Sequence, residues 1–90
     1  GISVGEDSKF FSKEVNLSNS KFGIATKDSS IADFTNVEML NMSTCITAYK
    51  KKNEFNGGYL TINNLRCDIF ENIQVKDDYS IIKIKNLKES

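Results

Sequence analysis

Alternating apolar residues recur along the chain at a spacing of about 22 residues, which is within the range of solenoid repeats. The spacing appears when the chain is written in four lines that begin at Gly1, Gly23, Cys45 and Asp68. Each line then carries one apolar–polar–apolar pair at the same place: Val15 and Leu17, Val37 and Met39, Leu60 and Ile62, Ile82 and Ile84. Alternation with a period of two is the pattern of a strand that has one buried face. The pattern therefore predicts a repeated strand.

An asparagine follows each apolar pair by two positions. The four asparagines are Asn19, Asn41, Asn64 and Asn86, and the step from Asn41 to Asn64 is one position longer than the other two. A single insertion in the third line explains the longer step, and we place it at Asn56-Gly57-Gly58, where glycine suits a turn with positive φ. Amide side chains at equal positions of stacked turns can form a hydrogen-bonded ladder. The sequence therefore predicts one inner ladder of these four asparagines.

The repeat predicts an all-β fold, a right-handed parallel β-helix or solenoid with about four rungs of roughly 22–23 residues each. The rungs are 1–22, 23–44, 45–67 and 68–90, and we interpret 1–90 as a single segment of a longer protein. A leucine-rich repeat is the first alternative, but its asparagine stands three positions after the last leucine. No line shows the helical i, i+3, i+4, i+7 pattern. An unrelated β-sandwich is the other alternative.

Two segments carry a resemblance to a known superfamily. Val15-Asn16-Leu17-Ser18-Asn19-Ser20 and Ile62-Asn63-Asn64-Leu65 resemble repeats of the pectin-lyase-like right-handed parallel β-helices. The resemblance covers all four lines and is weakest in the fourth. It implies a fold and no single activity, because the superfamily includes polysaccharide lyases, hydrolases, epimerases, phage tailspikes and adhesins.

The amino-acid composition limits which partners and cofactors we expect. Twelve basic residues balance twelve acidic ones, so the charge does not favour a nucleic-acid partner. No apolar run approaches the roughly 18 residues of a membrane-spanning helix. The chain has no histidine and two cysteines, which do not suffice for a zinc site. We therefore expect no metal, no cofactor and no membrane span.

Stacking the lines gathers charged residues into one surface patch. Its members are Glu6, Asp7, Lys27, Asp28, Tyr49, Lys50 and Lys51. The simplest interpretation is an exposed set of ion pairs, which contributes little to stability. The alternatives are a binding surface for sugar or protein, and a pair of carboxylates that act as general acid and base. We predict no catalytic residue.

The cysteines and phenylalanines are expected to be structural. Cys45 and Cys67 fall at the two ends of one line and are expected to be buried free thiols. The alternative, a disulfide, would imply an extracytoplasmic location, which is the location we favour. Five phenylalanines are assigned to core or turn packing: Phe10, Phe22, Phe34, Phe55 and Phe70.

These features together favour a non-catalytic function. We expect a structural or carbohydrate-associated β-helix segment of a larger protein, whose partners are upstream rungs, a second copy at the N-terminal rung, or a polysaccharide. One alternative is part of a polysaccharide-active enzyme, a lyase, hydrolase or epimerase. Another is a self-assembling β-helical filament protein.

Overall fold

The computed structural model, which describes residues 1–89, is all-β, as the sequence predicts. Five strands form one sheet in the order β1-β2-β3-β4-β5, and every neighbouring pair is parallel. The strands are β1 (Ile2–Val4), β2 (Lys9–Lys27), β3 (Ile31–Tyr49), β4 (Tyr59–Lys76) and β5 (Ile81–Glu89). Within residues 1–89 no helix is long and apolar enough to cross a membrane.

The strand register agrees with the sequence alignment at three of the four strand pairs and departs from it at one. Partners are 22 residues apart along the chain between β1 and β2, between β2 and β3, and between β4 and β5. Between β3 and β4 partners are 28 residues apart, as Asn36 and Asn64 are. The predicted insertion of one residue is therefore too short, because the step is six residues longer, but its predicted position at Asn56-Gly57-Gly58 lies within the longer connection. The extra length lies in the connection 50–58 that leads from β3 to β4.

The error in the sequence alignment of β3 with β4 has a simple origin. The pair Leu60 and Ile62 was aligned with the apolar pair of line two that ends at Met39, but in the structure it lies beside Ala32 and Phe34. Each long strand carries more than one alternating apolar pair. An alignment on such pairs can therefore move to the next pair along the strand without breaking the pattern.

Gly57 and Gly58 are required for close approach and not for positive φ. No described glycine has a positive φ, so the predicted turn geometry is wrong. A Cβ atom on Gly58 would collide with the carbonyl of Thr26, and one on Gly57 would collide with the carbonyl of Tyr79. The glycines let the chain return from the loop against its own backbone.

The long strands bend within their length. The 19 residues of β2 would extend about 60 Å if they were straight, whereas the longest dimension of the molecule is 37 Å. Positive φ angles occur at equivalent register positions of three strands: 56° at Asn19, 60° at Asn41 and 58° at Ile69. Asparagine tolerates this left-handed conformation, whereas a β-branched residue is strained in it. The left-handed conformation at the bend thus explains why asparagine stands at this position in β2 and β3. Ile69, at the same position in β4, is an exception because it is β-branched.

Replacing the strained residue at this bend is expected to stabilise the protein. Ile69→Asn should raise the free energy of unfolding by about 1 kcal/mol because it relieves the strain of a β-branched residue at positive φ. Ile69 is 63% exposed, so little burial is lost. The melting temperature should rise by roughly 4–8 °C. Leu40→Asn, at an exposed position with no positive φ, is the control and should give no rise.

Apolar side chains from all long strands meet in one core. Ile24, Ile46, Phe34 and Leu60 have no exposed surface. Of the five phenylalanines assigned to packing, Phe34 alone is fully buried; Phe70 packs partly against the core, and Phe22 is 48% exposed. The remaining two are Phe10, which is exposed, and Phe55, which lies in the connection 50–58 and is partly buried.

Cys45 and Cys67 form a disulfide inside this core. Both residues are fully buried, as expected, but they are bonded to each other. The expectation of two free thiols is therefore wrong. Cys45 lies in β3 and Cys67 in β4, and in the ladder Cys67 pairs with Met39 and not with Cys45. The bond thus ties together parts of the two strands that the ladder does not pair.

Candidate functional site

The seven predicted patch residues come together at one corner of the fold, where strands end. Lys27 and Tyr49 are the last residues of β2 and β3 and pair with each other. The backbone N–H of Asp28 donates to the carbonyl of Tyr49 at 3.3 Å, and that of Asp7 donates to the carbonyl of Asp28 at 2.9 Å. Glu6 lies beside Asp7, and Lys50 and Lys51 begin the long connection 50–58. We call this region the charged corner.

Asp28 holds the backbone of the long connection. The residue is 1% exposed, and its Oδ1 accepts hydrogen bonds from the backbone N–H groups of Lys51 at 2.7 Å and Lys52 at 3.0 Å. The hydrogen bond from Lys52 is the largest cause that lowers the pKa of Asp28, and it outweighs the effect of burial, which raises the pKa. The carboxylate is therefore ionised at neutral pH and occupied by backbone donors.

Asp77 holds the same connection from the other side, and the patch predicted from sequence did not include it. Its Oδ2 accepts from the backbone N–H of Lys50 at 2.6 Å, and its Oδ1 accepts from the hydroxyl of Ser80 at 2.7 Å and the N–H of Tyr79 at 3.1 Å. Burial raises the pKa of Asp77, but these hydrogen bonds together lower it below the ordinary value. The available signal was that Asp77 directly follows β4, as Asp28 directly follows β2.

Two further contacts involve lysines of the connection. The Lys52 ammonium donates to the Glu6 carboxylate, which raises the pKa of Lys52. Both side chains are about half exposed, so this ion pair contributes little stability. The Lys50 ammonium lies 3.9 Å from the ring centroid of Tyr79, a cation–π contact. Asp28 in the charged corner and Asp77 beside it therefore hold the connection 50–58 from two sides, and we call these two carboxylates the clamp.

The clamp is expected to weaken in acid. A carboxylate whose folded-state pKa is lowered stabilises the fold at pH above its ordinary value, which is 3.8 for Asp77, and this stabilisation is lost as the pH falls through the lower folded value. Asp77→Asn replaces one acceptor oxygen by a donor facing N–H groups, so it should lower stability at pH 7. The difference from the native chain should shrink below pH 3.8. Urea unfolding at several pH values would measure it. Asp78→Asn, at an exposed neighbouring position, is the control, and a difference that stays constant with pH would contradict the expectation.

The predicted asparagine ladder is divided into two ladders. In the first, Asn41 donates to Asn19 at 2.9 Å. In the second, Asn64 donates to Asn36 at 2.9 Å and Asn86 donates to Asn64 at 3.1 Å. Asn41 and Asn64 are not neighbours, because partners on β3 and β4 are 28 residues apart along the chain.

The ladders also differ from the prediction in their location. All the amides in them are exposed, so both ladders lie on the outside of the fold and not in its interior. Asn36 was missed because the alignment used the pair that ends at Met39, whereas Asn36 stands two positions after the earlier pair, Ala32 and Phe34. The hydrogen-bonded asparagines are nevertheless real features of the fold.

A surface groove runs beside the second ladder, and we call it the ladder groove. It is lined by Asn36, Asn64 and Asn86, with acidic Glu14 and Glu38 toward β2 and basic Arg66 and Lys88 toward β5. Arg66 also donates to Asp68 at 3.0 Å. The groove offers hydrogen-bonding and charged groups to a ligand, but its described lining residues include no pair of buried carboxylates.

No group of three or more His, Cys, Asp or Glu side chains suited to a metal ion occurs in residues 1–89. Comparisons of the chain with protein-family models, curated proteins and solved structures gave no match.

Proposed function

We propose that this chain is a non-catalytic, structural or carbohydrate-associated segment of a larger protein, built as a right-handed parallel β-helix. One observation carries the proposal. Consecutive parallel strands are joined by very short connections, residues 28–30 between β2 and β3 and residues 77–80 between β4 and β5.

These connections favour a coil over an open sheet. Parallel neighbours in an open sheet need a crossover of a dozen or more residues, because the chain must return to the starting edge. So short a connection cannot make that return over a strand that would extend about 60 Å. The strand itself must therefore bring the chain back, and the bends at Asn19 and Asn41 supply the change of direction. The step of 22 residues between paired positions is then one turn of the coil.

The non-catalytic role is supported by how the carboxylates are used. Asp28 and Asp77 accept hydrogen bonds from backbone groups and have lowered pKa values. A general acid needs the opposite shift, toward neutrality. Part of a polysaccharide-active enzyme is thus the weaker proposal. The hydrogen-bonding surface of the ladder groove supports carbohydrate association.

The edge of β2 that faces β1 is largely unpaired, which supports a partner that is itself a β-helix rung. β1 pairs only with residues Ile24, Ala25 and Thr26 of β2, whereas β3 pairs with β2 from Lys9 onward. Unpaired strand edges recruit other strands. We propose that another rung covers this edge, either from the parent protein or from a second copy. The buried disulfide supports an oxidising, extracytoplasmic location for that protein.

Small-angle scattering tests the coil. A coiled monomer should give a radius of gyration close to the 11.9 Å of its Cα atoms. An open sheet should give a particle longer than about 60 Å and would overturn the proposal. A rod whose length grows with protein concentration would favour the filament alternative.

A cleavage assay tests the non-catalytic role. Neutral and acidic polysaccharides incubated with the protein should keep their chain length. Shortened products that disappear in Asp28→Asn would assign the chain to the enzyme class and overturn this part of the proposal.

A further inference from the structure

A second groove crosses the face of the sheet on the part of the strands that follows the bends. We call it the face groove. Its floor is made by Ala25, Thr47 and Val75, which pair with one another on β2, β3 and β4. With Ser3 of β1 above Ala25, the floor crosses four strands, a length of about 15 Å. The floor is a row of four paired positions, which suits an extended chain molecule.

Aromatic and basic side chains form the rim of the face groove. Phe22, 48% exposed, and Tyr49 present ring surface beside the floor. Lys21 places its ammonium 5.7 Å from the ring centroid of Phe22. Lys76 donates one hydrogen bond to the carbonyl of Asp77 at 3.3 Å, which leaves other protons of its ammonium for a ligand.

The charge of the face groove favours an anionic ligand. Two lysines line it, and none of its described lining residues is acidic. This is a local asymmetry in a chain whose formal net charge is zero. Acidic groups of a ligand that lie beside Lys21 and beside Lys76 would each gain a charge-assisted hydrogen bond.

The position on a sheet face decides which polymer fits. An extended peptide binds sheets mainly by pairing its backbone with a free edge. Here the floor strands already pair with each other, so only side chains are offered. Aromatic rings, the Thr47 hydroxyl and ammonium groups match a polymer that has apolar ring faces, hydroxyls and acidic groups. A nucleic acid would need a larger basic surface than two lysines.

We propose that the face groove binds an acidic polysaccharide, carboxylated or sulfated, in an extended conformation across the strands. This inference rests on the proposed carbohydrate association and assigns it to the face groove instead of the ladder groove. Lys21 and Lys76 bind the acidic groups, and Phe22 and Tyr49 contact the sugar rings.

Calorimetric titration with three probes tests the proposal: an alginate oligosaccharide, dextran sulfate and neutral dextran. One or both acidic probes should bind, and the affinity should fall as salt concentration rises. Which of the two binds more tightly distinguishes carboxylate from sulfate recognition. Neutral dextran that binds as tightly as the acidic probes would overturn the proposal, and so would polyglutamate that binds more tightly.

Matched variants locate the site. Lys21→Ser with Lys76→Ser should weaken binding at least roughly tenfold, because two charged contacts are removed. Tyr49→Ser should weaken it without changing the salt dependence. Lys88→Ser, which removes a lysine from the ladder groove, should leave the affinity unchanged. Equal losses in the Lys88 variant and the double variant would overturn the assignment to the face groove.

The two proposals fail separately. A coil in scattering together with no binding of any acidic probe would overturn the face groove alone. Cleavage of a bound probe would overturn the non-catalytic role and leave the groove in place.

Discussion

Removal of the disulfide between Cys45 and Cys67 is expected to lower the free energy of unfolding by about 3 kcal/mol. The bond closes a loop with a sequence separation of 22 residues, and it restricts the unfolded chain accordingly. It also joins segments of β3 and β4 that the strand ladder does not pair. The variant is Cys45→Ala with Cys67→Ala, unfolded in urea beside the native chain.

Reductant provides the control for this experiment. It should shift the unfolding midpoint of the native chain toward that of the double variant and leave the double variant unchanged. Intact mass without reductant should be two hydrogens lower than the mass with it. Identical midpoints for the native chain with and without reductant would show that the bond does not contribute.

The repeat was predictable because it depends on local patterning. Alternating apolar residues predict strands wherever they occur, and the step from Val15 to Val37 in the sequence is the step that the register has. The longer connection between β3 and β4 was not predictable in the same way. Asn36 and Asn41 both stand near apolar pairs, so Asn64 could be aligned with either. Only the three-dimensional pairing distinguishes the two, and it selects Asn36.

For the candidate sites, too, features that depend on local sequence were predictable, and features that depend on the three-dimensional path of the chain were not. The charged corner was predictable as a location because its residues follow strand ends at regular steps. The role of the charged corner was not predictable. The burial of Asp28 and the hydrogen bonds that Asp28 accepts from backbone N–H groups depend on the path of the connection 50–58. The face groove joins Phe22, Tyr49 and Lys76 from three strands. The incorrect alignment of the third line placed Lys76 at a different level, so no sequence pattern could assemble this groove.

Phe34→Ala is expected to have the largest effect of any single substitution considered, a loss of about 3–5 kcal/mol. Phe34 has no exposed surface and is the largest fully buried side chain of the molecule within residues 1–89. It pairs with Ser12 on one side and Ile62 on the other, so its removal opens a cavity in the middle of the stack. A chain of this size has a total stability of roughly 5–13 kcal/mol, so the loss is a large part of the whole.

Phe11→Ala is the matched control for this substitution. Phe11 directly precedes the equivalent ladder position, so its side chain points to the opposite face, and it is 67% exposed. Its replacement should change the free energy of unfolding by less than about 0.5 kcal/mol. Urea unfolding of both variants and the native chain measures the difference. Equal effects at the two positions would mean that the alternation of inward and outward side chains does not hold on β2 and β3. The core, the register and the face groove all depend on that alternation.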